Sequence, residues 1–257
     1  MPRPQRPAID LVVTSSERLS PGMIRLRFAA ADPAAFADAF SDSVFTDRYV
    51  KLVLADADAD GMPAVRTYTA LEPDLERGTL AIDFVVHGTE GIAGPWAAAA
   101  APGDTLSVRG PGGAYAPDLT ADWYLLAGDE SGLPAIRAAL AALPADARGY
   151  VVVELPHLDN VQPLPAPPGV AITWVVTADD ADQLVAAVRA LPWLSGRVQA
   201  FVHGEAEAVM HGIRPYLLRE REVPRADASI SGYWRKGRTE ETFREWKAEL
   251  AAVEGAA

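Results

Sequence analysis

Arg66-Thr67-Tyr68-Thr69 lies in a stretch that reads as a β-strand, Val65–Ala70. Alternation along a strand sends Arg66 and Tyr68 to one face and Thr67 and Thr69 to the other. The set offers a cation for phosphate oxygens, an aromatic ring to lie against a flat heterocycle, and a small hydrogen-bonding group for its ring nitrogens. A flavin dinucleotide needs such a mixture. The same residues also suit an ordinary strand with an exposed arginine and a core tyrosine.

Two further places could meet a nucleotide. Gly128-Asp129-Glu130-Ser131 follows a buried strand and opens a helix, and nucleotides bind α/β sheets at that carboxyl edge. It is not a G-x-G-x-x-G fingerprint, and alone it reads as a helix cap, with Ser131 or Asp129 serving the first amides. His203-Gly204-Glu205 repeats the strand-to-helix geometry later in the chain. Tyr233-Trp234-Arg235-Lys236-Gly237-Arg238 is the most concentrated basic stretch. It suits an anionic ligand, or else the solvated cap of a last helix with Trp234 buried.

The elements that must hold these residues change character along the chain. Strand-like segments Ile9–Thr14, Met23–Ala29, Tyr49–Ala55, Val65–Ala70, Thr79–His87 and Thr105–Arg109 are separated by Gly and Pro turns. Six strands at this spacing predict an antiparallel barrel, with a short helix at Trp96–Ala101. Beyond Pro117-Asp118 strands alternate with helices: Trp123–Ala127, a helix through Leu133 and Leu143, Gly149–Leu155, Val170–Val176, a helix Asp180–Leu191, Val198–Val202 and a helix Glu205–Arg219. This alternation predicts a parallel sheet covered by helices. The tail from Ala226 adds a strand-like segment and a helix carrying Phe243, Trp246, Leu250 and Val253 on one face. The expected domains are residues 1–118 and 119–257.

Composition narrows the chemistry. The 257 residues include no cysteine, so disulfides, thiol nucleophiles and cysteine-held metals are excluded. Four histidines, His87, His157, His203 and His211, form no close metal-ligand pair, so no metal is expected and redox chemistry would come from an organic cofactor. A net charge of −12 argues against nucleic acid as a partner. No apolar run is long enough to span a bilayer, and no signal-peptide stretch follows the N-terminus, so a cytoplasmic, monomeric protein is expected.

Seven stretches together resemble the siderophore-interacting protein family, FAD-dependent ferric-siderophore reductases of the ferredoxin-reductase superfamily. They are Tyr49–Leu52, Arg66–Thr69, Asp83-Phe84-Val85-Val86-His87-Gly88, Gly94-Pro95-Trp96-Ala97 with Pro102-Gly103-Asp104, Gly110-Pro111-Gly112-Gly113, Ala127–Ser131 and Ile230–Arg238. The resemblance implies a six-stranded FAD-binding barrel followed by an α/β domain that binds NAD(P)H. It implies that Arg66, Thr67, Tyr68 and Thr69 hold the flavin, with Asp83, Phe84, His87 and Gly88 at the strand end beside its ribityl chain. His87 also reads as a capping or core imidazole. Gly94, Trp96 and Ala97 resemble a loop-to-helix start whose amides accept the FAD pyrophosphate, although Trp96 equally suits plain packing. Gly128, Asp129, Glu130, Ser131, His203, Gly204, Glu205, Tyr233 and Trp234 fall to the NAD(P)H cleft, the two acids as positioning or capping groups. Lys51, one of three lysines, and Arg235, Lys236 and Arg238 would attract an anionic ferric siderophore. No side chain is assigned an acid–base role. Two departures stand out: Ala70-Leu71 where relatives often carry another arginine, and Gly132 where alanine is commoner, a mild change.

The function implied is electron transfer from NAD(P)H through FAD to Fe(III) in a docked siderophore, releasing Fe(II). The alternatives are a diaphorase-type reductase with a quinone or protein acceptor, and a flavin-bearing siderophore carrier without turnover.

Overall fold

The structure, a computed structural model, describes residues 8–57, 63–88, 91–177, 182–238 and 242–243. Its chain divides into two compact units: residues 1–119 with 134–145 and 156–167, and residues 120–133 with 146–155 and 168–257.

The first unit is an antiparallel sheet of β1 (Ile9–Ser20), β2 (Met23–Ala30), β3 (Tyr49–Ala57), β4 (Pro63–Thr69), β5 (Leu71–Asp74), β6 (Thr79–Val85) and β7 (Thr105–Gly112). Hydrogen-bonded neighbours run β4-β3-β7-β1-β2-β6-β5. Seven strands stand where the sequence suggests six, because β5 is hidden in Glu72-Pro73-Asp74, which looks like a turn. Only Ala70 separates β4 from β5, although the two occupy opposite ends of the ladder order. Leu11, Val13, Leu26, Phe28, Val50, Leu52, Ile82 and Phe84 bury one face of this sheet. Helix α1 (Pro33–Phe40) adds Phe36 and Phe40 to that core. The sequence reading missed α1, although its start signal is plain. The Asp32 carboxylate accepts from the amides of Ala34 and Ala35 at 3.0 Å, and Pro33 supplies a ready-set first turn. Helix α2 (Ala93–Ala99) falls close to the expected short helix.

Alternation also sends some residues of this sheet outward. Arg25 on β2 and Asp83 on β6 are direct register partners and form a two-pronged pair, Nε–Oδ1 at 2.6 Å and Nη2–Oδ2 at 2.8 Å. Both are buried, at 8% and 2% exposure. Glu72 accepts from Arg25 at 3.2 Å and from Arg27 at 2.8 Å.

The second unit is a parallel sheet in the order β10-β9-β8-β11-β12, from β8 (Trp123–Asp129), β9 (Arg148–Leu155), β10 (Gly169–Val176), β11 (Val198–Glu205) and β12 (Ala228–Trp234). β8 is buried along its whole length, as a central parallel strand must be. One face packs Trp123, Leu125, Ala127 and Val202 against Leu184 and Val188 of α4 (Gln183–Ala190). Val209, Ile213 and Leu217 of two wide-turn helical segments, Glu207–Ile213 and Tyr216–Glu220, join the same core. The expected helix Glu205–Arg219 is present as an unbroken helical run over residues 206–220, wide-turned on both sides of Pro215, which has no N–H to donate. Helix α3 (Leu133–Ala141) follows β8. The expected last helix beyond residue 243 lies outside the described residues.

Candidate functional site

Register decides what β4 presents. Tyr68 lies opposite Val50 and Arg66 opposite Leu52, so both point to the side of the buried core. The Tyr68 and Phe84 rings lie 4.6 Å apart, and Phe84 and Trp96 lie 5.9 Å apart. Three sequence-predicted residues from β4, β6 and α2 thus form one aromatic wall, with Arg66 two residues along the same strand face. Gly94, at the start of α2, lies so close to β6 that a Cβ there would meet the Val85 carbonyl oxygen at 3.1 Å. Ile92, the N-cap of α2, offers its free amides no side-chain acceptor. Ala97 is buried beneath the helix.

Other expected contacts are not brought to this wall. Asp83 alternates with Phe84 and has both oxygens committed to Arg25, so its role is to hold the strand pair. His87 and Gly88 are exposed, which removes the core-imidazole reading of His87. Thr69 is buried but Thr67 is exposed. Lys51 faces away from Tyr68. It lies opposite Thr67 on one side and Arg109 on the other, and both cations are exposed. Arg109 was missed because the pairing of β3 with β7 cannot be read locally.

At the carboxyl edge of the parallel sheet, one side chain organises four segments. The buried Asp129 carboxylate accepts through Oδ1 from the Ser131 amide (2.8 Å), the Ser131 hydroxyl (2.5 Å) and the Gly132 amide (3.3 Å). Its Oδ2 accepts from the Glu205 amide at 2.8 Å and the Trp234 indole at 2.7 Å. Glu205 in turn accepts from the amides of Ala208 (3.0 Å) and Lys236 (3.1 Å). His203 is buried, stacks on Phe201 at 3.8 Å, and shares hydrogen bonds with the Tyr233 hydroxyl (2.8 Å) and Ser229 hydroxyl (3.0 Å). Arg235 is paired with Glu207 at 2.6 Å, and Arg238 donates to the Thr242 carbonyl at 3.2 Å. Gly128, Glu130 and Gly204 lie in the same edge. The sequence-predicted residues are therefore gathered, and most of their polar atoms are taken up in building the edge. Trp234, at 43% exposure, and Lys236 remain open to solvent.

Gly132 is not a mild departure in this chain. A Cβ there would overlap the carbonyl oxygen of His203. Glu154, at the end of β9, was overlooked within an apolar strand. Burial pushes its carboxyl above the usual range, and the charges of Asp129, Asp182 and Glu205 add to that. The Thr177 hydroxyl, by hydrogen bonding, opposes it. A folded-state pKa raised in this way makes stability fall as pH rises from the ordinary carboxylate range through the raised value. Glu154→Gln is therefore expected to raise Tm at neutral pH, with the gain fading as acid protonates the wild-type side chain. Melting curves across pH check this; an equal gain at every pH would contradict it.

Comparison with known proteins gives two adjoining family matches. Residues 12–115 match the siderophore-interacting FAD-binding domain and residues 121–237 the siderophore-interacting protein model. The Mycobacterium tuberculosis (strain H37Rv) protein Rv2895c is 44% identical, over 97% of this chain and 98% of that protein. Ferric vibriobactin reductase ViuB of Vibrio cholerae (strain O395) is 36% identical, over 71% of this chain and 69% of its own. The crystal structure of the siderophore-interacting protein SipS from Aeromonas hydrophila superposes with a TM-score of 0.82 at 30% identity, covering 96% of this chain and 99% of that one.

Proposed function

Since the chain belongs to the siderophore-interacting protein family, we propose that it is an FAD-dependent reductase that passes electrons from NADH or NADPH to ferric siderophores, releasing Fe(II) in the cytoplasm. The observation that carries this reading is the Tyr68–Phe84–Trp96 wall with Arg66 on the same strand face as Tyr68 and the open start of α2 beside it. This donor set fits FAD: the half-buried Tyr68 and Trp96 rings, braced by the buried Phe84, for the flavin ring, a guanidinium, and helix amides free of a side-chain cap for the pyrophosphate. When bound, FAD supplies the conversion of a two-electron hydride donor into single-electron steps suited to Fe(III).

The protein's own residues supply position and charge. Residues 1–118 hold the flavin through Arg66, Tyr68, Thr69 and the amides about Gly94. Residues 119–257 take the nicotinamide dinucleotide at the edge that Asp129 and Glu205 shape. Iron needs no proton donor here, since Fe(II) binds oxygen ligands more weakly than Fe(III) and leaves after reduction. Lys51 on the first unit, and Arg235, Lys236 and Arg238 on the second, each supply positive charge that would attract the anionic chelate. Anaerobic addition of NADH and NADPH to purified protein, with an Fe(II)-specific dye and a ferric siderophore present, tests the reading. Bleaching of the flavin band followed by dye colour is expected. A colourless protein that refuses added FAD would sink it, and turnover with quinones but not ferric siderophores would favour the diaphorase alternative.

The basic face makes its own claim. Lys51→Gln is expected to raise KM for an anionic ferric siderophore about threefold to tenfold, with kcat little changed and the difference shrinking in high salt. Steady-state kinetics at two ionic strengths check it.

A further inference from the structure

The first unit contains a cavity of about 340 Å³ that the redox reading does not use, lined by Thr46, Arg48, Leu71, Glu72, Arg137 and Ala141. That volume lies in the range of small-molecule sites. Its charge is unbalanced. The Glu72 carboxylate is already shared between Arg25 and Arg27, and Asp83 is held by both arms of Arg25. Asp47, beside Arg48, accepts through Oδ1 from the amides of Ala114 and Tyr115 at 2.9 Å.

Neither lining arginine has an ion-pair partner among the described residues. Arg48 donates only to Ser43, from Nε to the hydroxyl at 3.2 Å and from Nη2 to the carbonyl at 2.9 Å. Arg137 donates to the Pro163 carbonyl at 2.9 Å and the Gln162 side-chain oxygen at 2.7 Å, while its Nε is buried without a hydrogen-bond partner. A guanidinium's fork matches a carboxylate. Leu71, Ala138, Ala141 and Ala142 offer the rest of the wall as apolar surface.

We infer that this cavity binds a small organic carboxylate with a compact apolar body, its carboxylate meeting Arg48 and Arg137. The claim is independent of the flavin reading. Titration calorimetry on the purified full-length protein, with the cofactor it retains, tests it with benzoate, its neutral analogue benzamide, and inorganic phosphate. Benzoate is expected to bind, benzamide not to, and Arg48→Gln and Arg137→Gln are each expected to weaken benzoate by about tenfold or more. Ala141→Leu adds bulk to the lining without touching a charge and is expected to weaken benzoate by about tenfold or more in a folded protein, so the test survives if an arginine variant fails to fold. The inference is overturned if benzoate does not bind, if benzamide or inorganic phosphate binds as well as benzoate, or if folded Ala141→Leu binds benzoate undiminished.

Discussion

Replacing Arg25 with methionine is expected to lower the unfolding free energy of the protein by about 3–5 kcal/mol, among the largest single-site effects in the chain. The reason is what remains. Asp83 is 2% exposed and receives both of its strong hydrogen bonds from Arg25, so the variant strands a carboxylate away from water. Arg25 itself is held above its ordinary pKa, chiefly by the hydrogen bond to Asp83. The double variant Arg25→Met with Asp83→Leu removes both charges and is expected to recover most of the loss, because a buried pair is often no better than apolar residues of similar size. Urea unfolding of the two variants separates the cases. A single variant within about 1 kcal/mol of wild type, the scale of a surface pair, would show that water reaches the site.

Acid should act on the same cluster. Hydrogen bonding from Arg27, with the nearby charges of Arg25, Arg27 and Arg137, holds the Glu72 carboxyl below its usual range. Its contribution is therefore present above the ordinary carboxylate pKa and is lost as pH falls through the lowered value. Glu154 has the opposite sign, so acid weakens one unit where it relieves the other.

The second large effect is expected at Asp129. Changing it to alanine removes the acceptor for three amides, a hydroxyl and an indole N–H at once. Each buried donor left unmade costs about 1–3 kcal/mol, though solvent entering the gap will reduce the sum. The variant is expected to lose several-degree thermal stability and to slow NAD(P)H-dependent bleaching of the flavin by about a hundredfold, since a displacement of about 1 Å in a positioning group has that effect. Chemical reduction by dithionite should be unaffected, which distinguishes a damaged nicotinamide edge from a lost flavin. Stopped-flow absorbance with both reductants measures this. Rates within about twofold of wild type would mean that the edge does not position the donor.

Much of this was legible in the chain because it was local. The pleat of Arg66-Thr67-Tyr68-Thr69 follows from alternation alone, and the change from strands to strand–helix units follows from hydrophobic periodicity. What was not legible depends on register. Arg25 and Asp83 are 58 residues apart, and only the pairing of β2 with β6 joins them. Grouping Asp83 with Phe84 respected the sequence but ignored that neighbours in a strand face opposite ways. β5 was hidden by a proline and an aspartate that usually mark turns, and Glu154 by the valines before it. Asp129, suspected as a positioning or capping group, does accept from the amides of Ser131 and Gly132, but the Trp234 indole that also reaches its carboxylate lies 105 residues away.

The tight approach of Gly132 to β11 has a bearing on how mutational surveys of this family should be interpreted. A position with no space for even a methyl group will reject every substitution for reasons of volume. Such a residue beside the Asp129 edge will score as essential in any screen that reads only activity, and a screen that also reads protein abundance would sort it with the misfolded variants. Intolerance there is a record of crowding against the end of β11, and says nothing about contact with any ligand.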